Sequence, residues 1–101
     1  MEEEKKQKIK NLYNACVANG RILFDRIYIK EILTKYPTIE IKHMVDAKLF
    51  ENFLSLSNDL SKMLNINKWP KMNNTLASAL FIWEFMRDIP NNYKEYEWLG
   101  E

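Results

Sequence analysis

The stretch TLASALFIWEFM, residues 75–86, is the feature that most constrains what this chain can fold into. Only Thr75, Ser78 and Glu84 interrupt its apolar side chains. A membrane-crossing helix needs about 20 apolar residues, so this segment is too short to span a bilayer. A helix that is apolar nearly all round is instead expected to be buried on most sides. We therefore predict no membrane span and a central core helix wrapped by the other helices.

The alternative for this segment is that part of it stays open. The face near Phe81, Trp83 and Phe85 would then contact a partner or a second copy of the chain. Large exposed apolar patches are uncommon on monomers, so an open face here would mark an interface.

The rest of the chain is also expected to be helical, because apolar residues recur at helical spacing and Gly and Pro number only 2 and 3. The predicted helices are Glu4–Ala18, ended by Asn19-Gly20; Arg21–Tyr36, ended by Pro37; Val45–Leu64; and a fourth that begins after an N-cap at Asn73 or Asn74 and stops near Ile89, just before Pro90. The predicted buried stripe of the third helix is Leu49, Phe53, Leu56, Leu60 and Met63, with Phe50 and Leu54 at its edge. The segment TIEIKHMV is predicted to be a helical turn, since no second strand exists to pair with it.

The fold prediction is all-α. We expect a compact bundle of about four helices, antiparallel or orthogonal, forming one domain over residues 1–101. Residues 90–101 form an aromatic and acidic C-terminal tail that either packs on the bundle or remains open.

Sequence patterns for catalysis and metal binding are absent. The single cysteine, Cys16, lies on an apolar stripe and is expected to be a small buried hydrophobe. The single histidine, His43, lies three residues before Asp46, but no nucleophile is linked to this pair. Neither a CxxC pair nor a glycine-rich phosphate loop occurs. We therefore predict no enzymatic activity, no cofactor and no metal site.

The most distinctive predicted surface combines aromatic and acidic side chains. Tyr and Trp are enriched at binding hot spots, and carboxylates steer a protein towards basic partners. The alternative for these aromatic side chains is that they fold back to cover the bundle. The candidate partner-binding residues are Trp69, Tyr93, Glu95, Tyr96, Glu97 and Trp98.

A second candidate surface is basic and would contact nucleic acid. Residues 1–50 hold ten basic and seven acidic side chains, although the whole chain carries a net charge of only +1. Basic side chains can bind phosphates, and the competing interpretation is a solvated helix face. The candidate nucleic-acid-binding residues are Lys5, Lys6, Lys8, Lys10, Arg21, Arg26 and Lys30.

The function prediction is a small non-enzymatic factor that binds a macromolecule. Lys outnumbers Arg 12 to 3, which indicates an AT-rich genome such as those of many low-GC bacteria, phages and plasmids. The charged N-terminus contains no export signal, so we expect the cytoplasm, or the host cytoplasm for a phage protein. One concrete version is a phage or mobile-element inhibitor of a host nucleic-acid-handling enzyme. The alternatives are a DNA- or RNA-binding regulator and a helical-bundle immunity protein. The expected partner is a protein, with nucleic acid or a second copy as further options.

Overall fold

The computed structural model describes residues 2–101 and shows a compact all-α bundle, which confirms the predicted fold class. The α-helices are α1 (Glu3–Phe24), α2 (Ile27–Lys35), α3 (Ala47–Met63), α4 (Leu76–Arg87) and the single turn α5 (Ile89–Asn92). Two 3₁₀ segments, Ile41–His43 and Lys94–Gly100, complete the helical structure. Within residues 2–101, none of the helices combines the length and the apolar character needed to cross a membrane.

Helix α4 shares the core with α1 and α3. Its buried face consists of Leu76, Ser78, Ala79, Ile82, Trp83 and Met86. Phe81, on the other side, is 68% exposed. The sequence predicted burial on most sides of this helix, with an open face near Phe81, Trp83 and Phe85 as the alternative; the structure exposes Phe81 but buries Trp83, which is 3% exposed.

Helix α1 extends past the predicted stop at Asn19-Gly20 and ends at Phe24. Gly20 does not adopt the left-handed conformation of a helix-ending glycine. It is buried, and a Cβ atom placed on it would overlap the six-membered ring of Trp83. The glycine therefore permits close approach of α4, and the actual break in the helix comes at Asp25-Arg26. The predicted helix over 21–36 is consequently divided between α1 and α2.

Four aromatic rings join the three core helices. Phe24 at the end of α1 lies 5.5 Å from Phe50 and 5.3 Å from Phe53, both in edge-on geometry. Phe24 also stacks on Trp83 at 6.3 Å, and Phe53 meets the same indole at 6.4 Å. Such aromatic pairs contribute roughly 0.5–1.5 kcal/mol each beyond the apolar area that they bury.

Helix α3 is rotated relative to its predicted stripe. Its buried residues are Phe50, Phe53, Ser57 and Leu60, whereas Leu49 is 45% exposed. The prediction of Phe53 and Leu60 was correct. The predicted stripe contained Leu49 and had Phe50 only at its edge. Spacing alone does not reveal that Phe50 packs against Phe24 in the core.

The loops before α3 and α4 cross and pair through their backbones. The Ile41 N–H donates to the Asn74 carbonyl at 2.7 Å, and the Leu76 N–H donates to the Ile39 carbonyl at 3.0 Å. TIEIKHMV contains the predicted helical turn at Ile41–His43. The predicted N-cap at Asn73 or Asn74 was wrong, since the Thr75 hydroxyl accepts the Ser78 N–H at 3.2 Å.

The fourth helix ends before Pro90, as predicted, but a further helical turn contains that proline. Helix α4 ends at Arg87, two residues earlier than expected, and Pro90 lies in the first turn of α5. A proline is tolerated there because the first-turn N–H groups have no helical acceptor.

The contact between Gly20 and Trp83 gives a direct test of this packing. Alanine is a better helix former than glycine by about 1 kcal/mol, so Gly20→Ala would stabilise an open helix. We expect it to lower the free energy of unfolding by about 1–3 kcal/mol, because the added methyl group overlaps the indole. Urea unfolding measures the change.

The control variant is Ala18→Gly, since Ala18 is exposed on the same helix. Ala18→Gly should lower the free energy of unfolding only by the difference in helix propensity between the two residues, about 1 kcal/mol. The loss of stability caused by Gly20→Ala should be smaller in a Trp83→Phe background, because phenylalanine has a single ring in place of the fused indole. An equal penalty in both backgrounds would show that the indole is not responsible.

Candidate interaction surface

The C-terminal tail folds back onto the bundle. Tyr96 is 6% exposed and Leu99 is 2% exposed, and both belong to the hydrophobic core. The backbone is kinked at Tyr96 (φ −119°, ψ 16°), so the tail consists of two short 3₁₀ turns that meet at this residue. The Tyr96 hydroxyl accepts the backbone N–H of Asn65 at 2.9 Å, which ties the tail to the loop after α3.

Two lysines of α1 hold the tail from the other side. Lys10 Nζ donates to the carbonyl groups of Trp98, at 3.2 Å, and Glu101, at 2.6 Å. Lys6 Nζ lies 5.1 Å from the centre of the Trp98 ring, within cation–π range. The indole N–H of Trp98 donates to the Glu95 carbonyl at 2.9 Å. The conformation of the tail is therefore set by contacts at both ends.

Trp69 and the tail are brought together by Phe85 of α4. The Trp69 ring lies 5.1 Å from Phe85, and Phe85 lies 6.1 Å from Tyr93. All three side chains are half-buried. Trp69 Nε1 is buried without a hydrogen-bond acceptor in residues 2–101, so packing alone holds this ring. Two segments that are separate in the sequence thus form one aromatic surface.

The predicted partner-binding residues divide into three groups. Tyr96 is buried, and its side chain packs the tail against the bundle. Trp69, Tyr93 and Trp98 show part of their rings to solvent. Glu95 and Glu97 are exposed, and neither forms a salt bridge within residues 2–101. We call Trp69, Phe85, Tyr93, Trp98, Glu95 and Glu97 the aromatic-acidic surface. Phe85 was not among the candidate residues of the aromatic and acidic tail, but the alternative for residues 75–86 named it on an open face of that helix.

The predicted nucleic-acid-binding residues do not gather on one face. Lys6 and Lys10 hold the tail through the contacts above. Lys5 and Arg21 lie 16 positions apart on α1, or about 24 Å along its axis. Lys5, Lys8, Arg21 and Lys30 are all exposed.

Arg26, the remaining basic candidate, has a structural role at the break between α1 and α2. Its guanidinium donates to Asp46 Oδ2 at 3.2 Å and to the Tyr28 hydroxyl at 3.1 Å. Tyr28 also donates to the same carboxylate oxygen at 2.9 Å. These bonds connect the start of α2 to the start of α3.

The His43 and Asp46 pair is not assembled. His43 Nε2 lies 3.8 Å from Glu40 and is exposed, whereas Asp46 is bonded to Arg26 and Tyr28. Among residues 2–101, no group of three or more His, Cys, Asp or Glu side chains could hold a metal ion. Cys16 is fully buried, and burial together with the nearby Asp59 raises the pKa of its thiol from 9.0 to about 12.

The groove beside the tail is lined by α1, α4 and α5 and has a volume of about 520 Å³. Arg21 and Arg87 contribute positive charge to its lining, and Asp25 and Glu101 contribute negative charge. The opposite charges balance, so this groove has no clear electrostatic preference for an anion or a cation.

The bond between Tyr96 and Asn65 predicts a measurable difference between two tyrosines. Tyr96→Phe should lower the free energy of unfolding by about 1 kcal/mol, because the Asn65 N–H loses its acceptor. Hydrogen exchange at the Asn65 amide should accelerate with it. Tyr93→Phe is the matched control, since the Tyr93 hydroxyl makes no hydrogen bond within residues 2–101. Equal effects of the two changes would contradict the role assigned to this bond.

Burial of the Cys16 thiol predicts alkaline destabilisation. Its pKa is higher in the folded chain, so above pH 9 the unfolded chain loses protons first and the free energy of unfolding falls as pH rises. The contribution of the protonated Cys16 thiol to the free energy of unfolding is complete below pH 9. It is lost towards pH 12, at up to about 1.4 kcal/mol per pH unit. Cys16→Ala should be less stable at pH 7 but show a flatter decline between pH 9 and about 10. Parallel declines would exclude the thiol as the cause.

Comparisons of this chain with protein-family models, with curated proteins and with solved structures find no match. The function proposed below therefore depends on the contacts, burial and charges of this chain alone.

Proposed function

We propose that this protein is a non-enzymatic factor that binds another protein through the aromatic-acidic surface. The observation that carries the proposal is the placement of Trp69 beside the tail over Phe85. Neither segment alone offers more than one or two aromatic rings. Together they present half-buried rings, and the same tail carries the exposed side chains of Glu95 and Glu97.

The partial burial of these rings suits them for binding. An aromatic side chain with one edge already packed loses little conformational freedom when a partner covers the rest. Tyr and Trp also combine a large apolar area with a polar atom, which is why they are enriched at interface hot spots. Tyr96, Leu99 and Lys10 fix the tail before any partner arrives. The surface is thus organised in advance of binding.

The charges favour a basic partner. Glu95 and Glu97 are exposed and free of salt bridges within the described chain. Carboxylates at the rim of an interface mainly raise the rate of association with a positively charged surface. Enzymes that handle nucleic acids carry such surfaces, because they bind phosphates. A regulator or inhibitor of such an enzyme, of the phage or mobile-element type, is the concrete form of the proposal.

Nucleic acid ranks second as a partner. Binding to a phosphate backbone gains from many basic side chains acting together. Here two of the seven candidates hold the tail, and a third, Arg26, is bonded to Asp46. The four remaining exposed residues are spread over α1 and α2.

Charge reversal on the aromatic-acidic surface tests the proposal. The double variant Glu95→Lys with Glu97→Lys should abolish recovery of the partner when tagged protein is used for affinity capture from the native host. Both residues are exposed, so the melting temperature measured by circular dichroism should stay near that of the wild type. Quantitative mass spectrometry of the captured proteins gives the readout.

The control is Glu31→Lys with Glu51→Lys, which makes the same change in net charge at exposed sites on α2 and α3. It should capture the partner as the wild type does. If both double variants lose the partner equally, or neither does, the aromatic-acidic surface is not the binding site. Capture that depends on nuclease-sensitive material would favour the nucleic-acid alternative.

A further inference from the structure

Helix α2 buries much less of itself in the bundle than the other long helices do. Among its nine residues only Ile29 is buried, whereas α1 and α4 bury six residues each. Tyr28, Ile32 and Leu33 are half-buried, and the other five residues are exposed. Isolated helices shorter than about 12–15 residues are only marginally stable in water. The contacts that α2 makes with its surroundings therefore decide whether it stays in place.

The chain is fixed on both sides of α2. Before the helix, Phe24 belongs to the aromatic cluster of the core and is 5% exposed. After the helix, the Ile39 carbonyl accepts the Leu76 N–H at 3.0 Å, which ties the chain to the start of α4. Residues 26–38 lie between these two fixed points, and we call them the α2 segment. A segment that is fixed at both ends and packed on little buried surface between them is suited to local opening.

Asp46 supplies the polar link between the α2 segment and the rest of the bundle. Its Oδ2 atom accepts from the Arg26 guanidinium at 3.2 Å and from the Tyr28 hydroxyl at 2.9 Å. Within residues 2–101, no other side-chain hydrogen bond or salt bridge joins residues 26–38 to the remaining chain. The Asp46 side chain makes no capping bond to α3, so its hydrogen bonds serve this link alone.

The link is accessible to water. The side chains of Arg26 and Asp46 are 39% and 30% exposed. Ion pairs at such sites contribute little to stability, because water competes for both charges. Water can also take over these hydrogen bonds when the pair separates. The link can therefore break while the aromatic core of α1, α3 and α4 stays intact.

The α2 segment also forms one wall of a groove beside the core. Ile27, which is 78% exposed, and Lys30 line this groove together with Leu80 and Trp83 of α4. Its volume is about 360 Å³. Movement of α2 away from α4 would widen the groove and uncover Ile29.

We propose that residues 26–38 form a hinged lid, which opens as one unit while the other helices stay packed, and that Asp46 holds the lid closed. Opening breaks the bonds of Arg26 and Tyr28 to Asp46 and widens the groove beside Trp83. The inference goes beyond the proposed function and uses different residues. It is tested with the purified chain alone, so its outcome and that of the partner experiment are independent.

Native-state hydrogen exchange, followed by NMR at increasing urea, tests whether the lid exists. The hydrogen-bonded amides of α2 should exchange at least about tenfold faster than those of Phe53 and Leu60 in the core of α3. Their rates should change little at low urea, because opening the lid exposes little surface. The core amides should accelerate steeply with urea, since they exchange through global unfolding.

Two substitutions test the link from opposite sides. Tyr28→Phe removes one bond to Asp46 and should accelerate exchange in α2 about threefold to tenfold. Asp46→Ala removes both bonds and should have a larger effect in α2. In an Asp46→Ala background, Tyr28→Phe should add nothing, because the hydroxyl no longer has a partner outside the lid.

Asp59→Ala is the matched control. Asp59 is an exposed residue of α3 that forms no salt bridge within residues 2–101, so exchange in α2 should stay at the wild-type rate. Tyr28→Phe keeps the aromatic ring, so it tests the link even where Asp46→Ala does not fold.

Three results would overturn the inference. The first is exchange in α2 with the same rates and the same urea dependence as in the core of α3. The second is unchanged exchange in α2 when Tyr28→Phe is introduced. The third is an Asp46→Ala effect of equal size throughout α1, α2 and α3, which would assign these bonds to the stability of the whole bundle.

Discussion

The contact of Trp83 with Gly20 is the constraint on which the rest of this structure depends. A glycine on the buried face of α1 leaves a gap in the side-chain layer, and the indole of α4 fills it. The two helices are close because no Cβ atom separates them. The same indole stacks on Phe24 and meets the edge of Phe53, so this contact also places α1 and α4 against α3. A small domain gains much of its stability from a few such large buried rings.

Several features outside the aromatic cluster follow from this contact. The Tyr13 hydroxyl donates to the carbonyl groups of Met86 and Arg87, both at 3.2 Å, and so satisfies the C-terminal end of α4. Burial, with a smaller effect from Asp88, raises the pKa of Tyr13 to about 12 and keeps the hydroxyl protonated as a donor. Ile89, in the next turn, is fully buried. The chain can therefore continue into the tail at a fixed position beside α1.

The sequence was a good guide where local spacing determines the structure. The bounds of α3 were predicted to within two residues, and the end of the helix before Pro37 was predicted because a proline restricts the residue before it. The sequence was a poor guide where one residue type can have two structural roles. Asn19-Gly20 matches a helix-ending pattern, but a glycine also permits close helix packing, and only Trp83, far away in the sequence, decides between them.

The same limit applies to the candidate surface. Trp69 and the tail were each recognised from composition, but their meeting over Phe85 is a tertiary contact that no local pattern contains. Tyr96 and Trp98 were predicted together as candidate partner-binding residues. In the structure the tail is kinked at Tyr96, which lies in the core with Leu99, whereas Glu95 and Glu97 stay outside.

The uncovered side of α4 shows why burial is more informative than hydropathy for separating core positions from surface positions. Residues 75–86 look uniform in sequence, yet Ile82 and Met86 are fully buried while Phe81 is 68% exposed. The core gains nothing from an aromatic ring in water, and a polar residue at that position would serve the fold equally well. The opposite is true of Trp83, whose ring fills the space over Gly20. Within one helix, therefore, the buried positions explain the fold, and hydropathy alone does not separate them from the exposed Phe81.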